Sequence, residues 1–437
     1  MNKILLSLLA ALFAFGAGVV CSAQEETPSK LKFYGFIRNY MVFDSREVNA
    51  GTQDLYFYMP KDSKVVDGVD QNAVPSFRMM SLTTRLGLNI TGYQIGKTKV
   101  NGTIEADFYS MNGSVATFRM RQAYVGITRG NLLVNVGQTW HPMAADMPHM
   151  TNLETGAPFN PFNRSPQVIA HLTTGKFTWT GGILYPMQFL PVGPDGANTV
   201  KSGAFNKYGM IPEVYLGVAF QSGGFLGKAG VDFFSIMPRW NAPVIVEASI
   251  RDGEKILEYD PSETEQIFTR LFAVSPFLYL QFTAGKFQVK AKTILAQSGE
   301  HMNLLSGYGP TFDWNKMRLT YTPMQDWASF ISFQYGKKFQ VLGMAGYMQR
   351  LGTTRKLFGY DSSAATIWLN TAADARIQKA FRATPTIAYN LGKLTFSLEY
   401  NCTAGWFGEG YFNQGGLFET GHWVMNHRIE QMVRFNF

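Results

Sequence analysis

The chain has 437 residues with 16% charged side chains, a formal net charge of +8 and mean hydropathy near zero, yet it carries 43 Gly, 35 Phe and 20 Tyr. A soluble protein is usually nearer a quarter charged, and Lys and Arg dispersed along the chain give no nucleic-acid-binding patch. After residue 23 no apolar run reaches the roughly 18 residues of a transmembrane helix.

Met1-Asn2-Lys3 is a short basic start, Ile4 to Val20 is uncharged and apolar, and Cys21-Ser22-Ala23 supplies small residues. This predicts a secretory signal peptide over 1–23. Acylation at Cys21 is the competing reading, but Gly18-Val19-Val20 lacks the usual Leu and small residue ahead of it. Residues 24–30 form a short polar lead-in, with no plug domain expected before the barrel. Beyond the leader the one cysteine is Cys402, so no intrachain disulfide is expected.

From residue 31 to the end, segments of period 2 recur. The first, Leu31 to Asp44, is mixed, with Arg38 sharing a parity with Tyr34, Phe36, Tyr40 and Val42. Leu82 to Ile90 places Leu82, Thr84, Leu86, Leu88 and Ile90 opposite Thr83, Arg85, Gly87 and Asn89. Val100, Ile104 and Phe108 oppose Lys99, Glu105 and Asp107. Phe287, Val289 and Ala291 oppose Gln288, Lys290 and Lys292, and Leu394, Phe396 and Leu398 oppose Thr395, Ser397 and Glu399. At the end Met425, His427, Ile429, Gln431, Val433, Phe435 and Phe437 form a mostly apolar face against Asn426, Arg428, Glu430, Met432, Arg434 and Asn436. One wet face and one apolar face on strand after strand is the pattern of a barrel with water inside and lipid outside. The last strand must then close against one already built.

Tight turns are predicted at Gly96-Lys97, Gly175-Lys176, Gly227-Lys228, Gly285-Lys286 and Gly392-Lys393, with Thr128 to Asn131 and Pro323 to Asp326 completing seven. Glycine supplies the positive φ of a hairpin, and lysine begins the next strand at the water interface. Eight longer connections alternate with them, among them 45–79, 141–165, 187–209, 238–266 and 336–377. Phe339 to Leu351 is placed inside the last of these, as a short helix. The expected fold is all-β, a 16-stranded antiparallel transmembrane barrel over 31–437. Short periplasmic turns and long extracellular loops fit a bacterial outer membrane.

G-x-S-x-G, H-E-x-x-H, P-loop and C-x-x-C patterns are absent, so no enzyme is expected. His141, Asp146 and His149 share a loop but match no closed metal site, and no metal or cofactor is expected. Inward positions carry Arg85, Lys97, Lys99, Arg119, Arg121, Lys286, Lys290, Lys292, Lys316, Arg318, Arg382, Arg428 and Arg434 against Glu105, Asp107, Glu213, Glu399 and Glu430. Basic rings in a pore favour anions. Lys97, Lys286 and Lys316 read as rim residues, and Arg85, Arg119 and Arg121 as the deeper candidates.

Phe33-Tyr34-Gly35-Phe36-Ile37, Thr84-Arg85-Leu86-Gly87-Leu88, Gly102 to Phe108, Phe118-Arg119-Met120-Arg121-Gln122-Ala123-Tyr124 and Gly137-Gln138-Thr139-Trp140 resemble the first five strands of DcaP-like outer-membrane porins. Beyond about residue 170 only the general strand pattern is similar. The resemblance implies a homotrimer of 16-stranded barrels in outer-membrane lipid, a third loop (here 141–165) folded inward as a pore constriction, and passage of small hydrophilic, anionic solutes such as carboxylates. It carries pore-lining roles to Arg85, Glu105, Asp107, Arg119, Arg121 and Arg164, with Gln138 and Trp140 leading into the loop. The chain departs from some members in lacking a helical segment before the barrel. Two alternatives stay open on the residues alone: a barrel whose long surface loops bind a partner or glycan without an open channel, and a secreted β-sandwich.

Overall fold

The computed structural model describes residues 29–437 apart from 112–113, 196–197, 252–253, 267, 359–367 and 370–373. The expected signal peptide and most of the lead-in lie outside the described residues.

Sixteen staves close into one antiparallel barrel. The first four are β1 (Lys30–Asp44), β2 (Ser76–Met80 and, after a break, Arg85–Ile95), β3 (Thr98–Met111) and β4 (Ser114–Arg129). Shorter staves follow: β5 (Leu132–Trp140), β6 (Arg164–Thr174), β7 (Phe177–Leu184), β8 (Glu213–Ser222) and β9 (Phe225–Ile236). The wall continues with β10 (Leu271–Ala284), β11 (Phe287–Gln297), β12 (Arg318–Gly336) and β13 (Phe339–Thr353). It ends with β14 (Ile377–Ala383 and Thr386–Leu391), β15 (Leu394–Glu409) and β16 (Thr420–Asn436).

Closure is by β1. It pairs on one side with β2, Phe36 opposite Arg85, and on the other with β16, Phe36 opposite Asn436 and Asp44 opposite Arg428. Phe437 completes the seam through backbone hydrogen bonds with Gly35. With no free edge, every stave is paired on both sides, as a lipid environment requires.

The alternation is clearest on β10. Phe272, Val274, Leu278, Leu280 and Phe282 are exposed on the outside, whereas Leu271, Ala273, Phe277 and Tyr279 are buried inside. The terminal strand follows its expected parity, with Ile429 and Phe435 outward and Arg428 and Glu430 buried within. On β1 the outward face is Leu31, Phe33 and Ile37, which makes the mixed Tyr34, Phe36, Arg38 and Tyr40 face the lumenal one.

Seven tight turns join the staves on one side among the described residues, and six of them begin with a glycine at φ between +57° and +61°. Two stand elsewhere than expected. Gly227-Lys228 lies within β9, and the turn before it is Gly223-Gly224. Pro323 to Asp326 lies within β12, whose turn is Lys337-Lys338. Phe339 to Leu351 is therefore a stave, β13, paired with β12 along its length. The count stays even because the two strands expected on either side of Pro323 are one. The stretch 336–377 accordingly shrinks to a loop over 354–376. Leu82 also differs: the chain breaks at 81–84, Thr83 takes φ +66°, and Leu82 is buried inside the barrel.

Three connections fold into the lumen rather than away from it. Loop L1 (45–75), loop L3 (141–163) and the start of loop L6 (298–317) bring Tyr58, Met59, Phe159, Phe162 and Leu305 against Phe330, Met344, Met348, Ile377 and Phe407 of the wall. Tyr58 donates to the Asn303 carbonyl at 2.7 Å, Phe162 N–H to the Met302 carbonyl at 2.9 Å and Asn163 Nδ2 to the His301 carbonyl at 2.8 Å. The protein's dry core is thus made inside the barrel by its own loops.

Candidate pore and its basic wall

L3 leaves the wall between β5 and β6, where His141 N–H bonds to the Asn163 carbonyl at 3.1 Å. From there it crosses to the far staves. Lys228 on β9 holds Asp146 at 2.7 Å, and Lys292 on β11 donates to the Met143 carbonyl at 2.5 Å and Asn160 Oδ1 at 2.7 Å. His149 N–H meets Ser332 Oγ on β12 at 2.7 Å, and Thr151 N–H meets Glu399 Oε2 on β15 at 2.5 Å. Glu154 reaches Arg382 on β14 at 2.8 Å.

These contacts redefine several positions expected to line open water. Lys290, Lys292 and Arg382 are occupied by L3, and Arg428 is fully buried against Asp44 at 2.7 Å. Lys228 is an inward anchor rather than a turn residue. Arg318 and Lys316 belong to the loop-side hairpin formed with Gly307–Asp313. Burial, with help from the Lys290 charge, holds the His149 imidazole down at about 4; burial also pushes Glu154 up to about 8 against the pull of Arg382.

What L3 leaves open is a cavity of about 710 Å³ bounded by Arg38, Arg85, Arg119, Arg121, Trp140 and Arg434 on the wall and by residues of L1 and L3. Here the residues singled out from sequence come together. Cross-strand register places Asp107 opposite both Arg85 and Arg119. Arg119 bonds Asp107 at 2.8 Å; Arg121 bridges Glu105 at 2.8 Å and Asp107 at 2.7 Å; Arg85 stands 3.6 Å from Glu105. Arg164 is the first residue of β6 and not part of the loop, and its guanidinium lies 4.6 Å over Trp140 and 5.4 Å over Phe162.

Arg38 and Arg434 complete the wall; Arg434 was expected among the inward basic residues, whereas Arg38 was not. They face each other directly across the β1–β16 seam, where like charges ordinarily repel. Phe36 moderates this: its ring is 4.8 Å from Arg38, 4.8 Å from Arg85 and 5.8 Å from Arg434, a cation–π arrangement. Six arginines thus meet two carboxylates, Glu105 and Asp107. Arg38 Nη2, Arg85 Nε, Arg164 Nη1 and Arg434 Nε have no hydrogen-bond partner among the described residues. Buried donors of this kind normally find an acceptor.

The outer-membrane channel DcaP of Acinetobacter baumannii superimposes with a TM-score of 0.63 at 17% identity, over 94% of this chain and 97% of that one. The fold is that of an outer-membrane porin. An anion-selective porin from Comamonas acidovorans shares the porin fold at a TM-score of 0.53 and 10% identity, covering 94% of this chain and all of that one. OmpT of Vibrio cholerae does so at 0.51 and 11%, over 95% of this chain and all of its own. No protein-family model and no curated protein matches the sequence.

Proposed function

We propose that the protein is a porin of the bacterial outer membrane, a passive diffusion channel rather than an enzyme, through which small hydrophilic anions cross. The observation that carries this reading is the imbalance at the cavity: five arginines line it, a sixth, Arg164, is buried against Trp140, and the carboxylates paired with them are Glu105 and Asp107, which leaves guanidinium N–H groups of the lining Arg38, Arg85 and Arg434 unmatched among the described residues. In a narrow space with low-dielectric walls such a field concentrates anions and excludes cations. L3 is the constriction, and Arg38, Arg85, Arg119, Arg121 and Arg434 are the residues a solute anion would meet, with Glu105 and Asp107 holding Arg119 and Arg121 in place and the buried Arg164 adding its charge from over Trp140. The volume suits small solutes rather than polymers. Assembly as a homotrimer, implied by the DcaP-like motifs of the first five strands, belongs to the same proposal.

Reversal potentials across a planar bilayer under a salt gradient test it. Anion preference is expected for the unaltered protein, falling on Arg38→Ser with Arg434→Ser, which removes two charges that no carboxylate pairs. Cation preference, or an unchanged potential in the double variant, would overturn the reading. A second reading is a barrel closed by its own loops that binds a partner at its surface, favoured by the dry cluster of L1, L3 and L6 in the lumen. Absence of stepwise conductance would select it.

A further inference from the structure

Away from the cavity, four side chains that bind metals elsewhere in protein chemistry converge from four different elements. Glu213 begins β8 and Asp232 lies on β9; His141 opens L3 and His301 sits in the short turn of helix at 299–302 in L6. All four side chains are fully buried. Ring contacts hold the imidazoles, His301 stacking on Phe234 at 3.7 Å and His141 edge-on to Tyr215 at 6.3 Å.

We propose that Glu213, Asp232 and His301 bind one divalent transition-metal ion, zinc by preference, with His141 as a positioning residue. Glu213 Oε1 is 2.9 Å from His141 Nε2 and 3.1 Å from His301 Nε2, and the Asp232 oxygens are 3.7 and 3.9 Å from the same two nitrogens. Bonds of about 2.0–2.2 Å in a tetrahedral zinc site put neighbouring ligand atoms roughly 3.3–3.5 Å apart, so a small adjustment seats an ion.

Hydrogen bonding assigns the roles. Met143 N–H donates to His141 Nδ1 at 3.1 Å, which leaves the His141 proton on Nε2, where it is given to Glu213. His301 is oriented the other way: Nδ1 lies 3.1 Å from the Ser298 carbonyl. Donation there frees the Nε2 lone pair, the outer hydrogen bond that metal-binding histidines usually make. A lone pair and a carboxylate oxygen then face each other at 3.1 Å, a repulsion that a proton or a metal cation between them relieves.

Charge gives the second argument. Glu213 Oε2 and both Asp232 oxygens accept no hydrogen bond among the described residues, and an unmatched buried carboxylate costs several kcal/mol. A dication balances both carboxylates. One imidazole and two carboxylates suit zinc among the abundant divalent ions, with the fourth position left to water. The bound ion would fasten the start of L3 and L6 to the β8–β9 wall.

The test uses the untagged full-length protein folded in detergent with zinc, desalted and counted for metal by mass spectrometry. About one zinc per chain is expected, falling at least tenfold in Asp232→Asn, whose folding is checked by the heat-dependent shift of its gel band. His422→Ala, which disrupts the group of exposed His422 and Glu409 with the buried Asp62, should leave the count unchanged. If Asp232→Asn does not fold, His301→Gln takes its place in the comparison. Absence of zinc in the unaltered protein overturns the proposal, as does zinc retained in the folded Asp232→Asn or His301→Gln protein or lost with His422.

Discussion

Arg382 on β14 and Glu154 in L3 meet at 2.8 Å, Nη1 to Oε1, with neither side chain exposed to solvent. The same guanidinium donates to the Ala157 carbonyl of L3 at 2.8 Å, the Tyr58 carbonyl of L1 at 2.6 Å and Thr403 Oγ1 at 2.7 Å. One side chain therefore fastens two lumenal loops to the wall. Replacing it by Met strands two carbonyls and a carboxyl in the interior, each unsatisfied buried group costing about 1–3 kcal/mol. Arg382→Met should give larger and noisier single-channel conductance than the unaltered protein. Identical traces would show that L3 is held without it.

The pH dependence of that seat has two opposing parts. Burial raises Glu154 from 4.5 to about 8, so the protonated form is favoured in the folded loop. Its contribution is complete below about 4.5 and is lost as pH rises through about 8. His149 is held down from 6.5 to about 4 by burial and Lys290. Its contribution is complete above 6.5 and is lost as pH falls toward 4. L3 should be most firmly seated between these limits, with open-channel noise rising on both sides. Glu154→Gln should flatten the alkaline limb and leave the acid one, and His149→Gln the reverse. Conductance recorded from pH 4 to 9 in the three proteins would check both signs.

At the seam the tolerance for added volume is small. A Cβ on Gly35 would lie 2.3 Å from the Arg85 carbonyl and 2.7 Å from the Phe437 ring. The ring can move but the carbonyl belongs to the β1–β2 ladder. Gly35→Val should therefore reduce the folded, heat-shifted fraction on a gel severalfold, and Gly35→Ala less. Adding Phe437→Ala should rescue only part of the loss, because the backbone contact remains. Full rescue would place the whole conflict in the ring.

The barrel was legible because each stave separates two solvents, so β10 or β16 announces itself by parity alone. β13 did not. Its inward residues Met344 and Met348 pack on the lumenal loops rather than on water, and Gly346 lies under the Phe159 ring, so both faces read as apolar. Arg38 was hidden for a related reason, since Tyr34, Phe36 and Tyr40 share its lumenal face. The arginines and acids of β2, β3 and β4 were found because neighbouring strands bring nearby sequence together. The grouping of His141 with His301, and the entry of L1 into the lumen, depend on loop packing that no local periodicity encodes.

Glu105 separates charge from packing at the basic wall. Its carboxylate accepts from Arg121 Nε at 2.8 Å and from the Tyr34 hydroxyl at 3.2 Å, and lies 3.6 Å from Arg85. Glu105→Gln keeps the shape and an acceptor but raises the local charge by one. Anion preference should strengthen, with a reversal potential shifted further in the anion direction. The shift should be several times larger near 0.1 M than at 1 M salt, because the screening length shortens from about 10 to about 3 Å. Arg85→Gln should move the potential the opposite way with the same salt dependence. Equal shifts at both salt concentrations would mean that the substitutions act by reshaping the channel and not through its field.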